Sequence, residues 1–241
     1  MSTRSLIAIE HGDKSVSAVY CHSDGYPSYV GLFLYAFWTT EVNVRTLMGL
    51  GDLSSLGARV GYTVDFHKYR SDVNYYEKYK FQCISYCRDR NDPFRSIKVS
   101  SKEELYKTNI NFSYIYIFRN GEWWVKIGKN KLRKLDGVLA NDPDVLSSKR
   151  QKNFLTDKGL LEDEKQRLFD AYAKLGVLRI TKEELNISDA DYIIEQQFDA
   201  NKFSVRCTAN NRYSCLSRSD IQALKQEGCK IEIKKGLFIK I

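Results

Sequence analysis

Ser5-Leu6-Ile7-Ala8-Ile9 and Val16-Ser17-Ala18-Val19-Tyr20-Cys21, joined across His11-Gly12-Asp13-Lys14, decide the fold. Both segments alternate with the period of a strand, and the glycine and aspartate between them tolerate turn backbone, so the stretch reads as an N-terminal β-hairpin. It runs directly into Cys21-His22-Ser23-Asp24-Gly25-Tyr26-Pro27, a polar turn that sets one of only three histidines beside a carboxylate and between tyrosines. That turn is the best candidate site in the chain.

Working outward, Tyr29 to Trp38 is apolar almost all round and reads as a buried helix, and Thr40 before Glu41 reads as the N-cap of a second helix ending near Gly49 and Gly51. Asp52 to Gly57 reads as loop. Tyr62 to His67 and Phe81 to Tyr86 read as strands separated by the polar span Lys68 to Lys80, and Ser100 with Glu103 as a capping box for a helix to Lys107. Asn120-Gly121, between Tyr114 to Phe118 and Glu122 to Ile127, is the strongest hairpin signal, because a type I′ turn needs positive φ at both positions.

After Lys129 helical periodicity replaces strands, with a helix from Leu161 to Leu175 stopped by Gly176 and another over Asp189 to Phe198. The end reads strand, strand, helix, strand, strand: Phe203 to Thr208, Tyr213 to Leu216, Asp220 to Glu227, Lys230 to Lys234 and Leu237 to Ile241. The expected class is α+β, a mainly antiparallel sheet with packed helices over 1–135, then a helical segment and a small ββαββ unit over 136–241.

The 241 residues suffice for a large core, and 43% hydrophobic with 28% charged residues is ordinary for a globular chain. The formal charge of +8 favours acidic partners without choosing among nucleic acid, anionic membrane and acidic protein. No apolar run approaches the ~20 residues of a membrane span, and the N-terminus lacks the pattern of a signal peptide, so a cytosolic protein without membrane association is expected. Six cysteines in a chain of this length are too sparse for a disulfide framework and read as thiols.

Four constellations carry chemistry. His22 with Asp24, Asp52 and Asp89 would serve a general base near neutral pH, as in a small hydrolase or nucleotide-modifying enzyme; the alternative is that Asp24 shapes the turn and His22 packs against Tyr26 or Tyr29. Cys21, His22, Cys83 and Cys87 lack the spacing of a zinc site and are read as buried thiols, with no metal assigned. Gly49, Gly51, Gly57 and Gly61 lack a following Gly-Lys-Ser/Thr, and no cofactor is assigned. Lys126, Lys129, Lys131, Arg133 and Lys134, following Trp123 and Trp124, would suit a direct nucleic-acid binder; the alternative is a solvated linker between domains.

Met1 to Ser5, Tyr20-Cys21-His22-Ser23-Asp24-Gly25-Tyr26-Pro27, Gly51-Asp52-Leu53-Ser54-Ser55-Leu56-Gly57, Arg88-Asp89-Arg90 and Gly121-Glu122-Trp123 together resemble a family of tailed-bacteriophage accessory proteins of unknown function, over roughly residues 1 to 127. The resemblance implies a phage product acting in a bacterial host cytoplasm and brings no activity, cofactor or catalytic residue. Members tend to carry Gly after Arg-Asp-Arg where this chain has Asn91, which puts a tight glycine turn there in question. Abundant tyrosine, tryptophan and arginine suit an interface. The expected function is binding of a host macromolecule, a defence enzyme or the transcription and nucleic-acid machinery, to inhibit or redirect it, with Tyr26, Tyr29, Trp123, Trp124 and the basic run as binding residues.

Overall fold

The structure, a computed structural model, describes residues 3–108, 112–181, 192–199, 201–207 and 213–233. The chain divides into two compact units, Met1–Arg179 and Ile180–Ile241. The class is α+β.

In the first unit the opening hairpin is β1 (Ser5–Glu10) and β2 (Val16–Cys21), antiparallel from Ser5↔Cys21 to Glu10↔Val16. A π-helical turn, Pro27–Gly31, continues without a break into α1 (Leu32–Phe37). There follow α2 (Glu41–Met48), β3 (Leu53–Ser55), α3 (Phe66–Ser71), α4 (Val73–Tyr79), β4 (Ile84–Ser85), α5 (Tyr86–Arg90), β5 (Ile97–Val99) and α6 (Lys102–Thr108). A second hairpin, β6 (Tyr114–Arg119) and β7 (Glu122–Ile127), turns at Asn120 (φ 50°) and Gly121 (φ 78°), the two positive angles a type I′ turn requires. Then come β8 (Arg133–Lys134), α7 (Leu135–Leu139), α8 (Ser148–Leu155) and α9 (Glu162–Lys174).

Parallel pairing of β1 with β6, Ser5↔Tyr114 to Ile9↔Phe118, joins the two hairpins into one sheet of order β4-β3-β2-β1-β6-β7-β8. The outer edge of β2 is shared: β5 pairs antiparallel with Val16–Ala18, and β3 pairs parallel with Cys21. One sheet face gathers Leu6, Ala8, Ala18, Ile115 and Ile117 under Leu105 of α6. On the other face Tyr116 donates its hydroxyl to the Gly25 carbonyl at 2.9 Å, Trp123 Nε1 donates to Trp38 O at 2.6 Å, and Trp38 Nε1 to Gly57 O at 3.0 Å. Covered on both faces, β1 buries Ser5 through Ile9 without alternation of exposure.

The second unit contains β9 (Tyr192–Asp199), β10 (Lys202–Cys207), β11 (Tyr213–Ser217), α10 (Arg218–Gln226) and β12 (Ile231–Ile233), in sheet order β11-β10-β9-β12. Ile194, Phe203, Val205 and Ile221 form its core. Ser217 caps α10 through the amide of Asp220, whose carboxylate returns to the Ser217 amide.

Several local expectations change. Tyr62 to His67 is not a strand: Asp65 accepts from the amides of His67 and Lys68 and starts α3, and Asp72 does the same for α4 from Asn74 and Tyr75, so the polar span is two short capped helices. The strand over Phe81 to Tyr86 shortens to β4, because the Ser85 hydroxyl accepts from Arg88 N–H and opens α5. Within the expected loop 52–57, Leu53–Ser55 is β3. Asp189 to Phe198 was expected to be helical; from Tyr192 on it is β9, since pairing with β10 on one side and β12 on the other outweighs local helical preference. Residues 189–191, and the strand expected at 237–241, lie outside the described residues.

The boundary expected near residue 135 falls inside the first unit. There α7 packs on β7 and β8, Arg167 of α9 donates to the carbonyls of Ala36 and Phe37, and Glu164 of α9 pairs with Arg59.

Gly57 lies against the chain at Gln82: a Cβ there would sit 2.3 Å from the Gln82 carbonyl carbon and 2.4 Å from the Phe81 oxygen. Gly57→Ala is expected to destabilise the fold by about 3 kcal/mol in urea unfolding, the cost of overpacking against backbone, whereas Gly12→Ala, with nothing within 4 Å, leaves the midpoint nearly unchanged.

Candidate functional site

The turn after β2 follows β3 for two residues, with His22 N–H donating to Leu53 O at 3.0 Å and Ser23 N–H to Ser54 O at 3.1 Å. Asp24 adopts φ 52°, and Gly25 then donates to Thr3 O at 2.8 Å in a space where a Cβ would lie 2.9 Å from the Arg4 carbonyl carbon. Only glycine fits there. The turn is therefore held between the N-terminal strand and the sheet, and its side chains are placed by backbone contacts on both sides.

Those side chains take separate anchors. The Tyr20 hydroxyl lies 2.6 Å from His22 Nδ1 with the two rings edge to face. Burial lowers the His22 pKa, and the Arg4 and Arg70 charges lower it further. Asp24 accepts from the Tyr26 hydroxyl at 3.0 Å. Asp52 accepts from the Tyr20 amide at 2.9 Å; burial raises its pKa, and that hydrogen bond partly offsets the rise. Tyr20 thus links His22 through its side chain to Asp52 through its backbone.

Asp89 is committed most completely. Oδ1 accepts from Val64 N–H (3.0 Å) and Arg88 Nε (2.9 Å), and Oδ2 from Ser85 N–H (2.7 Å) and Arg88 Nη2 (2.8 Å). Arg88 in turn donates to the carbonyls of Val60 and Cys83. The pair ties α5 to the chain on either side of it. Asn91 ends α5 in the left-handed conformation, φ 60°, so it supplies the turn that a glycine would.

Cys21 and Cys83 are buried, which pushes both thiols up to about 12. At neutral pH such thiols are protonated and inert. All six cysteines are free, and among the described residues no group of three or more His, Cys, Asp or Glu is arranged to hold a metal ion. No helix among the described residues is long and apolar enough to cross a membrane.

The two tryptophans face opposite sides of β7. Trp123 is 6% exposed and belongs to the core, which removes it from the expected binding residues. Trp124 lies on the other face, with the Arg119 guanidinium 4.1 Å and Lys134 Nζ 5.8 Å from its ring centre. Lys126 Nζ lies 5.4 Å from the Tyr106 ring centre and donates to Gly128 O. Lys134 pairs with Glu122 at 2.9 Å, while Lys129, Lys131 and Arg133 are exposed. The basic run is therefore not an inter-domain linker. It forms the β7–β8 return at the sheet edge.

Tyr26 and Tyr29 separate, Tyr26 turning to Asp24 and Tyr29 stacking on Phe33 at 4.6 Å. Around Tyr29 lies a cleft of about 270 Å³ whose other walls, from α4 and α8, sequence reasoning did not associate with it. The helical spacing of Arg150, Asn153 and Phe154 is the signal that would have placed those three on one face of α8. A larger groove of about 510 Å³ runs between α3 and α5 past His67, Arg70 and Arg90. No family model, curated protein or solved structure matches the chain.

Asp89→Ala is expected to cost about 3 kcal/mol in chemical unfolding, because the half-buried Arg88 loses its counter-charge and the amides of Val64 and Ser85 lose their acceptor. The depressed His22 pKa sets a direction with pH: its contribution to stability is complete above the unfolded value of 6.5 and is lost as pH falls through the folded value. In His22→Gln this part of the acid-side decline disappears, which urea midpoints compared between pH 5 and pH 7.5 will read.

Proposed function

We propose that the chain acts by binding rather than by catalysis: an accessory protein of a tailed bacteriophage that docks its basic sheet edge on an acidic surface of a host cytoplasmic protein, inhibiting or redirecting it. The observation that carries the reading is the charge of the β6–β7–β8 edge. Between Arg119 and Lys134 stand six basic side chains and one acid, Glu122. Lys129, Lys131 and Arg133 are exposed and make no ion pair among the described residues. Uncompensated charge fixed on a sheet edge steers an oppositely charged partner and sets its register.

A protein partner is favoured over nucleic acid by Trp124. A single-strand binder leaves aromatic faces open for bases to stack on. Here Arg119 and Lys134 approach that ring, so it reinforces the cationic surface. The rival enzyme reading loses support because Asp52 and Asp89 hold backbone amides and the His22 ring meets the Tyr20 phenol.

Affinity capture from nuclease-treated bacterial lysate, followed by titration of the purified partner, tests the proposal. The expected result is one host protein at near-stoichiometric yield, with affinity on the order of tenfold weaker for Lys131→Glu/Arg133→Glu at physiological salt and the difference shrinking as salt rises. Capture that survives the double reversal unchanged would remove the basic edge as the docking surface. Capture seen only from a parallel lysate left without nuclease would transfer the reading to nucleic acid.

A further inference from the structure

The cleft beside Tyr29 differs in chemistry from the basic edge. Its floor is aromatic: Tyr29 stacks on Phe33 (4.6 Å, 15°), Phe33 on Phe81 (5.9 Å, 15°), and Phe154 meets Phe33 edge-on at 5.7 Å. Tyr29 and Phe33 stand one helical turn apart on the π-helical turn and α1, so continuous backbone fixes their stack. Phe154 is carried by α8, whose buried side is held by Gln151: the amide donates to Val145 O and Val177 O, each at 2.8 Å, and accepts from Arg179 N–H at 2.9 Å. Both walls are built before any ligand arrives.

The charges at this cleft are already satisfied. Lys80 Nζ lies between Glu77 at 2.6 Å and Asp157 at 2.7 Å, and Arg150 pairs with Asp144. The hydrogen-bonding groups at the mouth are not. The Tyr29 and Tyr76 hydroxyls and the exposed Asn153 carboxamide make no hydrogen bond among the described residues. Such a lining rejects an ionised phosphate, for which no cation is left over, and suits an uncharged planar ring with donors and acceptors along its edge.

From this geometry we infer that the cleft binds a nucleobase, stacked on the Tyr29 ring with Phe154 tilted beside it (6.0 Å, 46°), its edge bonded by Asn153 and the Tyr76 hydroxyl. A carboxamide offers one acceptor and two donors side by side, the pattern that pairs with a base edge. Burial raises the Tyr29 phenol well above its ordinary pKa, so it stays a protonated donor at neutral pH. The volume of about 270 Å³ holds one base with its sugar rather than a run of nucleotides.

Saturation-transfer NMR on the full chain with adenosine, guanosine, cytidine and uridine, followed by titration of the best, tests this. The expected result is transfer to at least one ring system, with affinity flat between low and physiological salt, unchanged in Lys131→Glu/Arg133→Glu, and at least tenfold weaker in Asn153→Ala and in Tyr76→Phe. The first removes only an exposed rim side chain and the second only a hydroxyl, so both variants keep the fold. A single-stranded hexamer separates the sources: comparable affinity identifies a base within a strand, and weaker affinity a free nucleoside. No transfer from any of the four at millimolar concentration overturns the inference. So does affinity that survives both substitutions, or a steep loss with salt that would mark phosphate contact. Because the edge variant binds nucleoside normally, failure of this inference and failure of the macromolecular docking are distinguishable.

Discussion

Parallel pairing of β1 with β6 is the constraint on which the first unit depends. Each hairpin is local and needs only its own turn, but five paired positions, Ser5 to Ile9 against Tyr114 to Phe118, must bring together segments more than a hundred residues apart. Closing so long a loop costs entropy that only burial recovers, and Leu6, Ile7 and Ala8 are fully buried from both faces. Everything between the hairpins is consequently an excursion that starts and ends on this sheet, adds β3, β4 and β5 to it and covers both of its faces. The polar turn, the Arg88–Asp89 pair and the helices α1 to α6 lie on that excursion.

Elements governed by neighbouring residues were legible in the sequence. The hairpin at Asn120-Gly121, the Thr40 cap of α2 and the Gly176 stop of α9 follow from side chains acting within a few positions, and the structure has all three. What was not legible depended on distant partners. Tyr62 to His67 alternates like a strand but pairs with no strand among the described residues, and Asp65 starts a helix there instead. Leu53 to Ser55 looks like a loop and becomes a strand because Cys21 is beside it. β9 carries polar residues at helical spacing and is a strand because two neighbours pair with it.

The same distinction governs the candidate site. Proximity in sequence placed His22 and Asp24 together, and the turn conformation then gave each its own phenol, Tyr20 and Tyr26. Asp89, 67 positions beyond His22, reads in the sequence as a general-base partner and is in the structure the counter-ion of its neighbour Arg88. A buried carboxylate whose two oxygens accept from two amides and a guanidinium serves the fold. The Tyr29 cleft was invisible for the opposite reason: its walls come from the π-helical turn, α4 and α8, and no short motif spans them. The sheet edge, contiguous in sequence from Arg119 to Lys134, shows its charge in the sequence directly.

The shared edge of β2 bears on how the protein behaves at high concentration. Where a long bare strand would border the sheet, β5 and β3 divide the edge between them, each three residues long and running in opposite directions. The sheet ends on β4 at one side and on β8 at the other, each of two residues, the latter Arg133 and Lys134. Unpaired strand edges template the growth of intermolecular sheets, and short or charged ones do not. The first unit's sheet, built this way, offers a second molecule no long bare strand at either end, so growth through its backbone is disfavoured and contacts at these two ends fall to side-chain surfaces.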